Sequence, residues 1–488
     1  RKSPPKLSMS AQGDHGPPAK KLRFDEGPCS TAGARAKASD VIQGCVEESG
    51  GLAPFSEEFA KWMDAHDDLA SNKEHFHVPK APSCEGSPCI YLCGNSLGLQ
   101  PKNTQPYVLE ELEKWQRWGV EGHFPGVNAT RPWVTADEDC RDDMARIVGA
   151  KPVEVAIMNS LTVNLHLLMC AFYRPTKQRH KIMMEGKAFP SDKFAIVSQI
   201  AHCGFDPATS LVELWPREGE HTLRTEDIEA AVRAQGQELA LVMFSGVQYY
   251  TGQFFQLDRI ARVARDQGCM VGFDLAHAVG NVPLQLHDWG CDFACWCTYK
   301  YLNSGPGSIA GAFVHERHAD AGVDDLPGRL TGWWGHRKAD RFEMEHHFVP
   351  SPGAQSFMLS NPPVLCIAAL RASTELFAKV GMERLRAKSL RLSAYLELLI
   401  GAEIGREHVE IITPSDPEQR GCQLSLVFRS AMQRVHEALG KQGVVCDIRK
   451  PSVMRIAPAP MYNGFQDVFH FVRLLKGQLL GAGKEQQQ

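Results

Sequence analysis

Between about residues 140 and 315, short apolar runs alternate with amphipathic segments. Residues 241–244 and 270–273 are apolar and of strand length, which predicts two buried strands. Four small or apolar residues between them keep the spacing of one helix face: Leu257, Ile260, Ala261 and Ala264. Gly268 ends that helix. The order strand, helix, strand predicts a right-handed crossover in a mainly parallel sheet.

A second pattern follows residues 361–363. Apolar spacing predicts a long helix from Val364 to about Ile400. After it come strand candidates at 409–413, 422–428, 443–447 and 453–457, a helix between the second and third, and a terminal helix. Segregated helices and strands of this kind indicate a smaller α+β unit.

The N-terminal part has a different composition. Residues 1–54 are rich in Pro, Gly, Ala, Ser and Lys and lack apolar periodicity, which predicts a disordered arm. Its basic segment 17–23 is similar to a nuclear-import signal, but a charged patch on a solvated tail is the favoured interpretation. Residues 55–76 predict a helix. The predicted organisation is an arm at 1–54, an N-terminal segment at 55–135 that contributes to the small domain and the active site, a large α/β domain at 136–363 and a small α+β domain at 364–488.

Charge and cysteine content exclude several function classes. The net charge of −4 over 488 residues favours neither nucleic acid nor an anionic membrane, and it suits a small neutral or zwitterionic substrate. No apolar run is long enough to cross a bilayer, and no secretory signal is visible, so a soluble, cytoplasmic protein is expected. The fifteen cysteines include apolar clusters and no Cys-x2-Cys pair, which predicts reduced thiols and no metal site.

The strongest chemical signal lies between Asp274 and Lys300. Asp274 follows the predicted strand 270–273, and Lys300 follows an apolar run and precedes a tight turn. Pyridoxal phosphate needs an amine that holds its aldehyde as a Schiff base and a carboxylate that keeps its ring nitrogen protonated. One short region supplies both groups. The alternatives are an Asp that caps a turn and a solvated surface lysine.

Residues 159–164 offer a place for the phosphate. The apolar spacing that follows predicts a helix whose first turn contains Ser160 and Thr162, and free backbone N–H groups there favour an anion. An ordinary helix cap explains the segment equally well.

Three further side chains are candidates for the same site. Phe189, beside a turn, is suited to stack on a cofactor ring, although a core position is the usual fate of a Phe. Ser245 follows the strand 241–244 and should share a sheet edge with Asp274. Arg455 sits in a short apolar strand and needs an anion, such as a substrate carboxylate.

Together these residues resemble the kynureninase family of fold-type I pyridoxal-phosphate enzymes. Five separated segments within residues 55–482 match the family pattern: 91–101, 161–166, 187–192, 273–281 and 360–363. The resemblance implies a fold-type I transferase fold in the α/β class, with a mainly parallel seven-stranded sheet domain and a smaller C-terminal α+β domain. It also implies a homodimer whose active site lies at the subunit interface.

The resemblance assigns roles to individual residues. Lys300 would carry pyridoxal 5'-phosphate, Asp274 would pair with its ring nitrogen, and Tyr299 would donate a proton. The remaining cofactor-binding residues would be Leu161, Thr162, Phe189, Pro190, Ser191, Asp192, Ser245, His277, Trp333 and Asn361. The substrate would be bound by Arg455, His123, Ser96 and Asn361.

The implied reaction is hydrolytic cleavage of L-kynurenine or 3-hydroxy-L-kynurenine to an anthranilate and L-alanine. It belongs to tryptophan catabolism and de novo NAD biosynthesis. Two departures from the family pattern concern loops: residues 124–130 form a longer loop after His123, and Pro306 lies in the turn after Lys300. A cysteine desulfurase-like lyase and a non-catalytic protein with the same fold are the alternative interpretations. The choice between the two kynurenines stays open.

Overall fold

The structure is a computed structural model, and it describes residues 20–22, 38–81, 87–126, 131–322 and 325–480. Most of the basic segment 17–23 lies outside this part of the chain, and so does most of the loop 124–130. The predictions made for those two segments are therefore not addressed by the structure.

Helices make up most of the secondary structure. The α-helices are α1 Ala38–Glu48, α2 Glu57–Ala65, α3 Thr104–Trp118, α4 Arg141–Val148, α5 Leu161–Phe172, α6 Pro190–His202, α7 Pro207–Ser210, α8 Thr225–Gln235, α9 Leu257–Asp266, α10 Leu286–Trp289, α11 Val364–Val380, α12 Met382–Glu403, α13 Met432–Lys441 and α14 Phe465–Leu480. Short 3-10 helices cover Ala70–His75, Gly119–His123, Trp133–Glu138, Pro152–Glu154, Glu316–His318, Trp333–Gly335, Arg341–Glu343, Gly353–Phe357 and Pro417–Gln419.

Sixteen short strands occur in the described residues. They are β1 Lys20–Leu22, β2 Phe76–His77, β3 Ile90–Tyr91, β4 Gln100–Pro101, β5 Val155–Ile157, β6 Lys181–Glu185, β7 Leu211–Leu214, β8 Leu239–Ser245, β9 Met270–Asp274, β10 Phe293–Trp296, β11 Gly311–Val314, β12 Val409–Ile411, β13 Leu424–Phe428, β14 Val444–Val445, β15 Asp447–Arg449 and β16 Val453–Ile456.

The large sheet has the order β1-β7-β6-β8-β9-β10-β11-β5. Only β11 runs antiparallel to its neighbours; the other pairings are parallel. Its central strands are buried along almost their whole length, because helices cover both faces, and this explains their continuous apolar runs. The predicted mainly parallel sheet is confirmed, with eight strands where seven were expected.

The eighth strand comes from the arm. Lys20–Leu22 pairs in parallel with Val212 to Leu214 at the edge of the sheet, and Ala38–Glu48 is a helix that buries Ile42 and Cys45. The expectation of a wholly disordered arm is therefore wrong for these residues. Their pairing and packing are long-range contacts, which the local composition of the arm does not encode.

The C-terminal unit is built on an antiparallel sheet of order β12-β13-β16-β15. The predicted strand 443–447 is divided: Val444–Val445 pairs in parallel with Ile90–Tyr91, and Asp447–Arg449 joins the antiparallel sheet. The N-terminal segment and the C-terminal unit are thereby connected through strand pairing.

Two predicted helices are also interrupted. The pattern from 364 to 400 forms two helices, because Gly381 with φ of +85° ends the first one. The pattern from 55 to 76 forms α2, a 3-10 helix and the start of β2. Among the residues that the structure describes, no helix combines the length and apolar character needed to cross a membrane.

Candidate active site

A cavity of about 170 Å³ opens at the carboxyl edge of the large sheet. It lies where α/β sheets usually bind ligands, at the ends of β8 and β9 and at the start of α5 and α6. Its wall is formed by Ser160, Leu161, Thr162, Phe189, Ser191, Asp192, Ser245, Val247, Tyr249, Asp274, Ala276, His277, Tyr299 and Lys300.

Most of the residues proposed from sequence for the cofactor meet in this wall. Those that line the cavity are Leu161, Thr162, Phe189, Ser191, Asp192, Ser245, Asp274, His277, Tyr299 and Lys300. Those that do not line it are Ser96, His123, Pro190, Trp333, Asn361 and Arg455.

Lys300 lies in the loop after β10, and the segment around Gly98 holds its backbone. The Gly98 N–H donates to the Tyr299 carbonyl at 2.8 Å. A side chain at Gly98 would overlap the Lys300 carbonyl oxygen and come within 2.8 Å of the Asn303 Cα. The segment 91–101 thus packs directly on the lysine loop. Lys300 Nζ lies 5.9 Å from the centre of the Phe189 ring and 5.8 Å from that of Tyr299.

Asp274 ends β9 next to Ser245, which ends β8, and the two residues are paired in register. The Ala276 N–H donates to Asp274 Oδ1 at 2.7 Å. This bond supports the turn-capping interpretation of Asp274, but the residue is also buried and lines the cavity. Asp274 therefore caps the turn and presents a carboxylate to the cavity at the same time.

Two buried carboxyl groups stand side by side here. Burial raises the pKa of Asp192 well above its usual range, and the neighbouring charge of Asp274 raises it further. Burial also raises the pKa of Asp274, but the Ala276 N–H and the charge of Lys300 oppose this effect. Asp192 therefore holds the proton, and Asp274 is the ionised member of the pair.

His277 lies near these carboxyls and is fully enclosed. Burial lowers its pKa well below the usual range, and the positive charge of Lys300 adds to this effect. Its Nδ1 and the Asp192 Oδ1 are buried without a hydrogen-bond partner. Both side chains line the cavity, so these two atoms are suited to a ligand that fills it.

The first turns of α5 and α6 converge on the cavity. The residues that precede them, Ser160 and Phe189, make no side-chain capping bond to the turns. Thr162 Oγ1 and Ser191 Oγ lie 2.9 Å apart and connect the two turns. Free N–H groups and two helix dipoles make this end of the cavity a favourable place for an anion such as a phosphate.

Phe189 is not a core residue. Its side chain is 44% exposed, and it borders the cavity. Tyr249 packs against it edge to face, with ring centres 5.2 Å apart. The placement agrees with a ring that stacks on a flat ligand rather than with the usual buried position of a Phe.

Arg455 already has an anion. It is 1% exposed, and its Nε donates to Asp447 Oδ1 at 2.9 Å while its Nη1 donates to the Tyr249 carbonyl at 2.9 Å. Arg455 therefore has one anion inside the protein, and its role in binding a substrate carboxylate stays a prediction. Asp447 comes from the neighbouring antiparallel strand, a pairing that the sequence does not reveal.

Three residues assigned to the cofactor or the substrate, His123, Trp333 and Asn361, lie elsewhere on this chain. His123 packs edge to face on Trp133, and its neighbour Phe124 contacts Phe342, which in turn contacts Trp333. Trp333 is 45% exposed, and Asn361 is also exposed. These residues are exposed or half-buried and do not form part of the cavity wall.

Ser96 and Pro190 lie close in sequence to residues that form or contact the site. Ser96 lies in the segment 91–101, two residues before the glycine that packs on the lysine loop. Pro190 is the first residue of α6 and therefore fixes the direction of the turn that carries Ser191 and Asp192.

Sequence reasoning missed three residues around the site. Tyr249 lines the cavity, Asp447 pairs with Arg455, and Glu185 accepts two hydrogen bonds from Ser245. Glu185 ends a fully buried strand of the parallel sheet, and that position is a signal from which it could have been found.

One group in the described part of the chain has the composition of a metal site: Glu154, His287 and His315. Glu154 accepts hydrogen bonds from the N–H groups of Lys151 and Glu316 and contacts His287 Nδ1 at 2.9 Å. Both carboxylate oxygens are thus satisfied by protein groups. The group lies at the edge of the sheet opposite the cavity, before β5 and after β11.

The cavity therefore combines an amine, an ionised buried carboxylate, an aromatic face and an anion-binding end. These features suit pyridoxal phosphate, because the unpartnered atoms of Asp192 and His277 and the uncapped helix turns are places that such a group would satisfy. A protonated ring nitrogen would find a counter-charge in Asp274.

The sequence of the chain is similar to those of known proteins. Residues 385–475 match the family model of the kynureninase C-terminal domain. The chain is 54% identical to the kynureninase of Myxococcus xanthus (strain DK1622) over 422 residues, which is 86% of this chain and 97% of that protein. It is 52% identical to the kynureninase of Monosiga brevicollis over 452 residues, or 88% and 97% of the two chains.

A similar fold occurs in a cysteine desulfurase. The enzyme CsdA from Escherichia coli superposes with a TM-score of 0.66 at 15% sequence identity, covering 85% of this chain and 99% of the desulfurase chain. At that identity the likeness concerns the fold alone. It confirms the predicted fold class.

Proposed function

This chain belongs to the kynureninase family, and we propose that the cavity around Lys300 is where it carries out that family's reaction. The enzyme is a hydrolase that depends on pyridoxal phosphate and cleaves a carbon–carbon bond. It acts on L-kynurenine or 3-hydroxy-L-kynurenine and releases an anthranilate and L-alanine, a step of tryptophan catabolism and NAD biosynthesis. The observation that carries the assignment to this cavity is the meeting of Lys300, Asp274 and two uncapped helix turns in one wall.

Bound pyridoxal phosphate supplies an electron-accepting ring. Lys300 would hold it through Nζ, and Asp274 would keep the ring nitrogen protonated. Phe189 would pack on one face of the ring. Thr162, Ser191 and the first turns of α5 and α6 would hold the phosphate. Leu161, Pro190, Ser245 and His277 shape the remainder of the binding site, and Asp192 donates its proton to Asp274 and so orients that carboxylate.

Two residues move protons. Lys300 would accept the α-proton of the substrate at Nζ. Tyr299 donates a proton to the alanine fragment. Burial raises the pKa of the Tyr299 phenol, so the group stays protonated at neutral pH and is a donor rather than a base.

Arg455 binds the substrate carboxylate. Because the guanidinium is paired with Asp447, its positive charge is partly neutralised. The ion pair and the bond to the Tyr249 carbonyl fix the orientation of the guanidinium beside the cavity wall. Ser96 borders the substrate from the segment behind the lysine loop. The choice between the two kynurenines depends on which side chain meets the ring hydroxyl.

His123, Trp333 and Asn361 act across a subunit interface. All three lie on an outer surface of this chain and not in its own cavity wall, which supports a homodimer in which each subunit completes the other's site. Neither nucleic acid nor a membrane takes part in this assembly.

Subunit mixing tests this arrangement. Lys300→Ala and Trp333→Ala are each expected to abolish or strongly reduce turnover. When the two inactive proteins are unfolded together and refolded, mixed dimers regain activity, because one of their two sites then has both residues. If the mixture stays inactive although mixed dimers form, Trp333 does not act across the interface.

Cysteine desulfurization is disfavoured by the thiols. Every cysteine that the structure describes is buried or partly buried, and burial raises the pKa of Cys93 to about 12 and that of Cys297 above its usual range. A persulfide-forming nucleophile needs an accessible thiolate. Alanine release should therefore be measured with kynurenine and with cysteine. Release from kynurenine is expected, and release from cysteine alone would contradict the assignment.

The cellular location and domain limits belong to the same proposal. The described cysteines are free of disulfides, which agrees with a reducing cytoplasm. Fractionation of cells followed by detection of the protein tests this location.

The proposed large domain spans 136–363, and the proposed small domain consists of 364–488 together with residues 55–135. Limited proteolysis tests these limits, because cleavage is expected between the units rather than within them.

A further inference from the structure

Glu185 is a buried acid directly behind the cavity. It ends β6 and is 2% exposed. Its Oε1 accepts the Ser245 hydroxyl at 2.5 Å, and its Oε2 accepts the Ser245 backbone N–H at 3.2 Å. Ser245 lines the cavity and is paired in register with Asp274. Glu185 therefore reaches the site through one residue, which it contacts twice.

The direction of these hydrogen bonds restricts Ser245. An ionised carboxylate only accepts, so the hydroxyl proton of Ser245 must point at Glu185. The hydroxyl oxygen then presents lone pairs, and no proton, toward the cavity. A ligand group beside it must donate.

We propose that Glu185 is a positioning residue for the cofactor, because it orients the Ser245 hydroxyl so that its oxygen accepts a hydrogen bond from the group bound in the cavity. This inference depends on the proposed cofactor position and adds a function for a residue outside the cavity wall. Because Asp274 is assigned to the ring nitrogen, the group that would donate to Ser245 is a protonated oxygen of the cofactor.

The surroundings of Glu185 make its charge state responsive to pH. Burial raises the pKa of Glu185 to about 7, while the Ser245 hydroxyl opposes the shift and the charge of Asp274 adds to it. Asp192 on α6 also faces it. Once protonated, the carboxyl donates to the Ser245 oxygen, and the hydroxyl proton of Ser245 turns toward the cavity.

Glu185 also borders a second cavity, of about 540 Å³. The charged or titratable groups on that side are Lys187, Arg217, Glu218, Glu220, His221, Tyr250 and Glu410. This opening gives protons a route to Glu185 that does not pass through the cofactor site.

The test is the affinity of the cofactor as a function of pH. Pyridoxal phosphate is titrated into cofactor-free protein between pH 6 and pH 8.5, and its binding is followed by protein fluorescence. Glu185→Gln has one acceptor oxygen for the Ser245 N–H, and its amide donates to the hydroxyl oxygen, as a protonated Glu185 does. We expect the dissociation constant of the variant to exceed that of the wild type roughly tenfold at pH 8.5, and to equal it at pH 6.

A matched control removes a different buried carboxylate from the same sheet edge. Glu213 lies on β7, is 2% exposed and pairs with Lys193 at 3.2 Å. Glu213→Gln is expected to leave the pH dependence of cofactor affinity unchanged. The proposal would be overturned if the ratio of the Glu185→Gln dissociation constant to the wild-type one stayed constant over the pH range. It would also be overturned if Glu213→Gln lost cofactor affinity with the same pH dependence.

Ser245→Ala tests whether Glu185 acts by orienting the Ser245 hydroxyl or directly through its own charge. If Glu185 acts through the hydroxyl, Ser245→Ala shows the same loss at high pH, and the double variant is no weaker than either single variant. Additive losses would mean that Glu185 acts on the cofactor without Ser245, which contradicts the proposal. Should Glu185→Gln fail to fold, the pH series of Ser245→Ala alone decides. The proposal is then overturned if the ratio of the Ser245→Ala dissociation constant to the wild-type one does not change with pH. Loss of turnover with unchanged cofactor affinity in all variants would also overturn it without affecting the proposed reaction.

Discussion

Gly98 touches the backbone of Lys300 so closely that no side chain fits between them. The nearest atoms to a β-carbon placed on Gly98 are the Asn303 side-chain oxygen and the Lys300 carbonyl oxygen. The segment 91–101 and the lysine loop are far apart in sequence but form one packed unit. This contact explains why a glycine is needed at position 98 without any unusual backbone angle.

Gly98→Ala should move the lysine loop. The added methyl group forces a shift of the Lys300 backbone, which we expect to cost about 1–3 kcal/mol of stability and to lower turnover at least tenfold. Thermal unfolding and kcat measure the two effects.

The control is Gly44→Ala in α1, where nothing lies within 4 Å of an added β-carbon. It should leave turnover unchanged and raise stability by about 0.5–1 kcal/mol. A loss of turnover in Gly44→Ala as large as in Gly98→Ala would show that the lysine loop is not the cause.

Thr162→Val tests the anion-binding end of the cavity. The substitution keeps the shape of the side chain but removes the hydroxyl that lies 2.9 Å from Ser191 Oγ. We expect the dissociation constant of pyridoxal phosphate to rise about tenfold, the effect of one hydrogen bond to a charged group. Pyridoxal, which lacks the phosphate, should bind equally to both proteins. Equal losses for the two ligands would place the phosphate elsewhere.

His277 gives the cofactor-free protein a dependence of stability on pH. Burial and the charge of Lys300 hold the pKa of His277 well below its ordinary value, so the unfolded state binds more protons as the pH falls. The contribution of His277 to the free energy of unfolding is fully present above about pH 6.5. It is lost as the pH falls below that value, by at most about 1.4 kcal/mol per pH unit. Urea unfolding of wild type and His277→Gln between pH 5 and pH 8 should show this difference. The same pH dependence of the free energy of unfolding in both proteins would contradict this role of His277.

Arg455→Ala should weaken substrate binding without releasing the cofactor. It also removes a fully buried guanidinium that donates to Asp447, which keeps its ion pair with Arg449 at 3.2 Å, so a stability loss of about 1–3 kcal/mol is expected. The substrate effect is read from KM at a temperature where both proteins are folded. Loss of cofactor with an unchanged KM would contradict the role of Arg455. Asp447→Asn keeps the guanidinium but frees it to move, and a smaller rise in KM is expected.

The sequence predicted the parts of the molecule in which a local pattern decides the structure. The strands around 241–244 and 270–273, the helix between them and the first turn at 161 are all present. Continuous apolar runs and helical spacing are local signals, and the large sheet is composed of them.

Long-range pairings were beyond the reach of these signals. The strand at Lys20–Leu22 exists only through its pairing with β7, and Arg455 has a partner only because Asp447 lies on the adjacent strand. The long pattern after 364 looks continuous because a single glycine hardly changes its apolar spacing, although Gly381 divides the helix. The outer position of Trp333 could likewise not be seen from one chain's pattern.

Chemical labelling tests directly whether Lys300 holds the cofactor. Reduction of the loaded enzyme with borohydride fixes the bound pyridoxal phosphate to its lysine, and peptide mass mapping identifies the residue. Lys187, beside the second cavity, is the internal comparison. The assignment of Lys300 predicts a pyridoxyl adduct on Lys300 alone and none in Lys300→Ala. An adduct on Lys187, or on any lysine of the wild type other than Lys300, would contradict it.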